Sequence, residues 1–199
     1  MRNVWCASLV AVLAAAASQA RASEPQGEKD VELKIFVKNN KVSWDGNGMS
    51  PAEYKKMLDK LADDIANKKR VGKIPPPPTL EVAMVFTNKS KEEVTIYVGG
   101  DVNKYTFELK GPEVVTLPNF GPMTLDIKMP KAVTLKAGGT YEVLVTKLSD
   151  GMRGVSRNVY WAAPGEYTLS VTYQLGDQKG QPTNLLKSES VKFNVEAPK

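Results

Sequence analysis

From Leu80 onward, apolar and polar positions change places at nearly every residue. Leu80, Val82, Met84 and Phe86 form one series, Val94, Ile96 and Val98 a second, and Tyr105, Phe107 and Leu109 a third. Val115 and Leu117, Leu125 and Ile127, and Val133 and Leu135 continue it, and TYEVLV, YTLSVTYQL and SVKFNVE complete it. A period of two sends alternate side chains to opposite faces, so each series predicts a strand with one buried face. TNKSKEE, Gly99-Gly100-Asp101 and Gly138-Gly139 interrupt the alternation with residues that favour turns. About eight or nine short strands in roughly 120 residues, with a turn signal about every 8 to 12, predict a mainly β fold. The expected architecture over 80–199 is an antiparallel, immunoglobulin-like sandwich.

Two shorter patterns precede this block. Val31, Leu33, Ile35 and Val37 alternate with their neighbours, Asn39-Asn40 can reverse the chain, and Val42 and Trp44 resume the alternation, which predicts a β-hairpin over 31–44. Ser50, Pro51 and Glu53 then have the order of a helix start: a capping hydroxyl, a proline at the first helical position and a glutamate three residues after the cap. Tyr54, Met57, Leu58, Leu61 and Ile65 follow at helical spacing, giving an amphipathic helix whose apolar stripe needs a partner. Lys68, Lys69 and Arg70 come at its C-terminal end, where the helix dipole favours cations. Pro75 to Pro78 have fixed φ and no N–H to donate, so they run as an extended spacer. The layout expected is a hairpin and helix over 23–74, a polyproline linker over 75–79 and the sandwich over 80–199.

Residues 1–22 follow another logic. Arg2 supplies a positive charge, Val4 to Ala17 a short apolar run, and Ala20-Arg21-Ala22 a small-residue exit, the three parts of a secretory signal peptide. Cleavage is expected after Ala22, with Ala20 as the alternative site and an uncleaved anchor as the other reading. The apolar run falls short of the about 20 residues that a spanning helix needs. The processed chain is therefore expected in the periplasm or outside the cell, with no membrane span. Cys6 is the only cysteine and precedes the apolar run, whereas a lipid-acceptor cysteine would follow it. After cleavage no disulfide can form, and the core must suffice. Loss of Arg2 and Arg21 brings the formal charge of +5 closer to neutral, and acids and bases are interspersed, as in KSKEEV. That mixture argues against nucleic acid as a partner.

WAAPGEYTLSVTYQL, beginning at Trp161, joins a corner at Pro164-Gly165 to a strand that starts with Tyr167. Tyr167 stands where immunoglobulin-like domains place the tyrosine of their corner, with Leu169 in the position of the second cysteine. Pro164, Gly165 and Tyr167 are read accordingly as structural. LEVAMVFTNKSKEEVTIYVGGD, TFELKGPEVVTL, VTLKAGGTYEVLV and RGVSRNVYWAAPGEYTLSVTYQL, most of 80–175, together resemble a group of uncharacterised exported bacterial immunoglobulin-like β-sandwich proteins. The shared features are an F-T-N-x-S hairpin, a Y-V-G-G-D turn, an L-K-G-P segment and a Y-W-x-x-P-G-E-Y strand entry. This resemblance implies a fold and no particular activity. The F-T-N hairpin and the P-G-x-Y entry are also similar, more loosely, to bacterial proteinase inhibitors of the intracellular type, although no inhibitory loop matches residue by residue.

The chain has no histidine, and no cysteine after the signal. The commonest general base, the thiolate nucleophile and the usual ligands of zinc, copper or non-haem iron are thus missing. Neither SxxK, GxSxG, a P-loop nor GxGxxG occurs. Asp45, Asn47, Ser50 and Glu53 invite comparison with a calcium loop, but counting from Asp45 puts Met49, Ser50 and Lys56 where a ligand, a glycine and a glutamate are required. No catalytic residue, metal ligand or cofactor is expected. Asn88-Lys89-Ser90 matches a glycosylation sequon within a turn. Arg153 and Arg157, in the loop SDGMRGVSRN, stand next to Tyr160 and Trp161, a composition typical of contact hot spots, and are the candidate partner contacts. The function expected is a non-enzymatic exported binding or structural module that meets another envelope or extracellular protein. The alternative is an inhibitor of an extracytoplasmic protease.

Overall fold

The computed structural model describes residues 30–197; the signal segment, its cleavage sites and Cys6 lie outside them. The fold is mainly β with one helix among the described residues. Strands β1 (Val31–Val37) and β2 (Lys41–Ser43) precede helix α1 (Pro51–Ala66). Then come β3 (Thr79–Asn88), β4 (Val94–Val98), β5 (Tyr105–Lys110), β6 (Val114–Phe120), β7 (Lys131–Leu135) and β8 (Thr140–Lys147). The last five are β9 (Ser149–Met152), β10 (Val155–Trp161), β11 (Gly165–Gly176), β12 (Pro182–Lys187) and β13 (Val191–Glu196).

The strands make three sheets. One has the order β1-β3-β8, a second β6-β10-β9, and the third runs β2-β13-β11-β4-β7, with β5 and β12 also paired to β11. All pairings are antiparallel except β2 beside β13, which is parallel. The expected hairpin over 31–44 is therefore absent. Both strands form where alternation placed them, but β1 pairs with β3 and β2 with β13, as Ile35 opposite Met84 and Val42 opposite Val195 show. Alternation fixes which face a strand buries and leaves its neighbour unspecified.

Inward faces of all three sheets meet in one core. Phe86 of β3 lies edge-on to Tyr173 of β11, ring centroids 4.8 Å apart, and Trp161 of β10 is edge-on to Phe193 of β13 at 5.6 Å. Helix α1 packs on β6, burying Tyr54 and Leu58 while Leu61 is half-buried. Its start is closed by a reciprocal cap: the Ser50 N–H donates to Glu53 Oε2 at 2.9 Å, and the Glu53 N–H to Ser50 Oγ at 3.4 Å. The Ser50 hydroxyl, and then its backbone N–H, hold the Glu53 carboxyl below its ordinary range. Pro75–Pro78 link α1 to β3 along the edge of the core, half-buried except for the exposed Pro76, and the Pro75 carbonyl accepts the Tyr160 hydroxyl at 2.8 Å and the Pro78 carbonyl the Leu148 N–H at 3.0 Å. A segment without N–H donors still supplies acceptors.

Candidate functional site

Three chain segments converge beside β4, β5 and β11. The first is the turn after β4, where Gly99 has φ 77°. Asn103, buried, fixes it: its Oδ1 accepts the Gly100 N–H at 2.9 Å, and its amide donates to the carbonyls of Tyr97 at 2.9 Å and Gln174 at 3.1 Å. The second is the tip of a hairpin. SDGMRGVSRN is a hairpin and not the loop its sequence suggests: Met152 pairs with Val155, leaving a two-residue turn in which Arg153 has φ 49° and Gly154 φ 83°. Positive φ at both positions is the mirror-image turn that suits strand twist, and glycine at the second position relieves its strain.

The third segment, 121–130, crosses that tip. Its Thr124 N–H donates to the Arg153 carbonyl at 2.8 Å. The Asp101 N–H donates to the Lys128 carbonyl at 2.9 Å, and the Lys128 N–H returns to Asp101 Oδ2 at 3.2 Å. A side-chain carbon on Gly154 would come within 2.5 Å of the Pro122 carbonyl, so the crossing needs glycine there. The alternation at Leu125 and Ile127 predicted a buried-face strand, and here the structure differs. Residues 121–130 form no strand, and Met123 (58 %), Leu125 (94 %), Ile127 (70 %) and Met129 (56 %) are exposed. They make an exposed apolar ridge, joined at the second cleft by Leu185 of β12, also exposed.

A cleft lies on each side of the ridge. One, of about 660 Å³, has Tyr105, Tyr141, Thr124 and Asp126 in its walls; the other, of about 590 Å³, has Thr106, Gln174 and Leu185. Asp101, Lys104, Lys128 and Arg153 border both. Lys131 adds a cation to the first and Lys179 to the second. Arg153 Nε sits 3.0 Å from Asp101 Oδ2 without its N–H aligned to that oxygen, an electrostatic contact more than a directed bond. Lys104, Lys128, Lys131 and Lys179 are exposed and have no acidic partner within 4.0 Å among the described residues. The surplus charge of this end is positive.

Of the four candidate contact residues, only Arg153 lies here. Arg157 faces inward from β10: its Nε donates to Asp150 Oδ1 at 2.9 Å, and its Nη2 to Asp150 Oδ2 and to the Phe107 carbonyl, both at 2.6 Å. Tyr160 is buried, its hydroxyl donating to Pro75 and accepting from the Asn158 amide at 3.1 Å. Trp161 is buried too, against Tyr167 and Phe193. Their burial takes Tyr160 and Trp161 off the accessible surface, so the hot-spot composition here belongs to the interior. Burial also pushes the phenols of Tyr160 and Tyr173 up to about 12, with the Asn158 hydrogen bond opposing the rise at Tyr160.

Pro164 precedes β11, Gly165 opens it opposite Val195, and the Tyr167 hydroxyl donates to the Ala163 carbonyl at 2.7 Å. Asn88 of the sequon is buried, and its amide donates to the carbonyls of Glu92, Leu135 and Lys136 at 2.7, 2.9 and 3.1 Å. Asp45 Oδ1 accepts the Asn47 N–H at 2.9 Å, a local turn. Among the described residues no helix is long and apolar enough to cross a membrane. No group of three or more His, Cys, Asp or Glu side chains among them is arranged to hold a metal.

The ridge went unrecognised in the sequence because its alternation copies that of a strand. Pro122 and Pro130, one at each end, were the available signal, since proline cannot donate to a ladder and demotes a central strand. No protein-family model matches the chain, and no curated protein matches it.

Proposed function

We propose that this chain is a non-enzymatic, exported binding module on an immunoglobulin-like β-sandwich, and that it meets its partner through the ridge at Met123–Met129 and the two clefts beside it. The observation that carries the reading is the contrast between this end and the body. Tyr160 and Trp161 are buried and the Arg157 guanidinium is engaged by Asp150 and Phe107, whereas four large apolar side chains share the ridge end with four lysines that have no acidic partner among the described residues. A contiguous exposed apolar patch rimmed by polar groups is how binding surfaces differ from ordinary surface. Support for the immunoglobulin-like architecture comes from the Tyr167 hydroxyl on the Ala163 carbonyl at the entry to β11. Export rests on residues 1–22 and the resemblance.

The test is a photo-reactive side chain at position 125 in producing cells, with one at Phe36, exposed on β1, as control. Adducts with an envelope component at 125 and not at 36 are expected; equal or absent labelling overturns the reading. The N-terminus of the recovered chain is expected at Ser23 or Arg21, and a start at Met1 refutes export.

The same segment supports a second reading, inhibition of an extracytoplasmic protease, because it is extended, exposed and held between Pro122 and Pro130 as a substrate-like loop would be. Stoichiometric slowing of a protease panel, abolished by Leu125→Asp, separates this reading from the first.

A further inference from the structure

We propose that the surface this ridge meets is an anionic lipid bilayer, with Met123, Leu125, Ile127 and Met129 entering the acyl-chain boundary and Lys104, Lys128, Lys131 and Lys179 lying among the headgroups. The inference rests on the binding-module reading and names the partner.

Shape is the first argument. The four apolar side chains are exposed along one segment, Leu125 at its middle almost fully, and Ile127 and Met129 border the second cleft. A protein partner would need a groove cut to receive such a ridge, whereas a bilayer deforms around it. Leu185, facing the second cleft beside Ile127 and Met129, widens the apolar face. Apolar area at the boundary of a charged face is what drives interfacial binding.

Charge is the second argument. The four lysines border the clefts flanking the ridge, so they reach the headgroup level when the ridge is immersed. Asp101, between the clefts, is already engaged by Arg153 and by the Lys128 N–H, which leaves Asp126 as the one free carboxylate bordering the first cleft among the described residues. A basic side chain near an anionic leaflet strengthens association by about fivefold. The same lysines argue against a second copy of this chain, because two such ends would bring like charges together.

The supports are the third. The crossing segment is held to the hairpin tip and to the turn after β4 by the backbone bonds at Thr124, Asp101 and Lys128. A ridge fixed at both ends loses little conformational freedom on insertion, which lowers the cost of binding.

The experiment uses the full chain carrying Trp5→Phe and Leu125→Trp. Trp44 and Trp161 are buried, so the indole introduced at position 125 is the environment-sensitive reporter. With vesicles of phosphatidylglycerol and phosphatidylcholine, its emission is expected to shift to the blue and to be quenched by lipids brominated in the acyl chain. Phosphatidylcholine alone is expected to give a far smaller response. In the same background, Ile127→Asp with Met129→Asp is expected to abolish quenching. Lys104→Glu with Lys131→Glu is expected to weaken binding at least about 25-fold, given about fivefold per lysine, and more so at low salt. Residual association through the N-terminal segment would leave the reporter unquenched, and that result overturns the proposal. So does quenching that is indifferent to lipid charge. If the reporter does not respond to lipid while the cross-link at position 125 captures an envelope protein, the lipid assignment falls and the binding module stands. If both are negative, both readings fall.

Discussion

The guanidinium of Arg157 meets the carboxylate of Asp150 across the β9–β10 hairpin in a two-point grip, Nε to Oδ1 at 2.9 Å and Nη2 to Oδ2 at 2.6 Å. Both members then bind Phe107 of β5: Asp150 accepts its N–H at 3.0 Å and Arg157 donates to its carbonyl at 2.6 Å. The pair thereby satisfies the backbone of β5 on the side away from β11 and ties one sheet to another. Asp150 is nearly closed off from water, with 5 % of its side chain exposed, whereas Arg157 keeps 24 %.

Asp150→Ala is expected to lower stability by about 1–3 kcal/mol, the cost of leaving the buried Phe107 N–H without its acceptor while Arg157 keeps solvent access. Arg157→Lys is expected to rescue little, since an ammonium cannot reproduce the planar fork. Urea unfolding of the single and double variants measures this, and strictly additive losses would show that the two side chains act independently.

Tyr167 supplies a second prediction. Tyr167→Phe keeps the ring and removes the donor to Ala163, at an expected cost of about 1–3 kcal/mol. Gly111 is the sharper probe, since an added methyl would lie 2.1 Å from Cδ1 of that ring. The ring is fully buried and stacked on Phe193 at 5.9 Å, so it cannot retreat. Gly111→Ala is expected to destabilise by about 1–3 kcal/mol through overpacking. An unchanged unfolding midpoint for both variants would remove the corner as a determinant of stability.

Alkaline pH is expected to destabilise the protein. Burial raises Tyr160 and Tyr173 from the ordinary 10.0 to about 12. Below pH 10.0 both phenols are neutral in either state and their stabilising effect is complete. Between 10.0 and about 12 the unfolded chain releases its protons first, so stability falls as pH rises, by up to roughly 2–3 kcal/mol for each tyrosine. Unfolding free energies across that window, compared with Tyr160→Phe, measure the effect. The variant is expected to show the shallower slope, and parallel curves would contradict the assignment.

Local features were the legible part of the sequence. The Ser50–Glu53 cap uses contacts three residues apart, and the alternation in β3, β4, β5 and β11 records which side chains are buried. Partnerships were not legible, because β1 and β2 carry the same pattern whether they pair with each other or with β3 and β13. The role of Arg157 is hidden in the sequence for a related reason. Once the turn at Arg153-Gly154 is recognised, Asp150 and Arg157 become cross-strand neighbours and their pairing follows. Read as a loop, the same ten residues suggested free cations. At the ridge the difficulty was reversed, since alternation marks two distinct faces and only the surrounding fold decides which one meets water.

The parallel seam of β2 against β13 joins positions about 150 residues apart, Val42 opposite Val195. Lys41 lies beside Asn194, and Phe193 closes over Trp161 and Tyr167, so β13, the last strand among the described residues, covers part of the core. Contacts between such distant positions demand costly loop closure and place the chain among slow folders. A nascent chain lacking its final residues has β2 without a neighbour and aromatic rings without a cover, and is held back from completing its core.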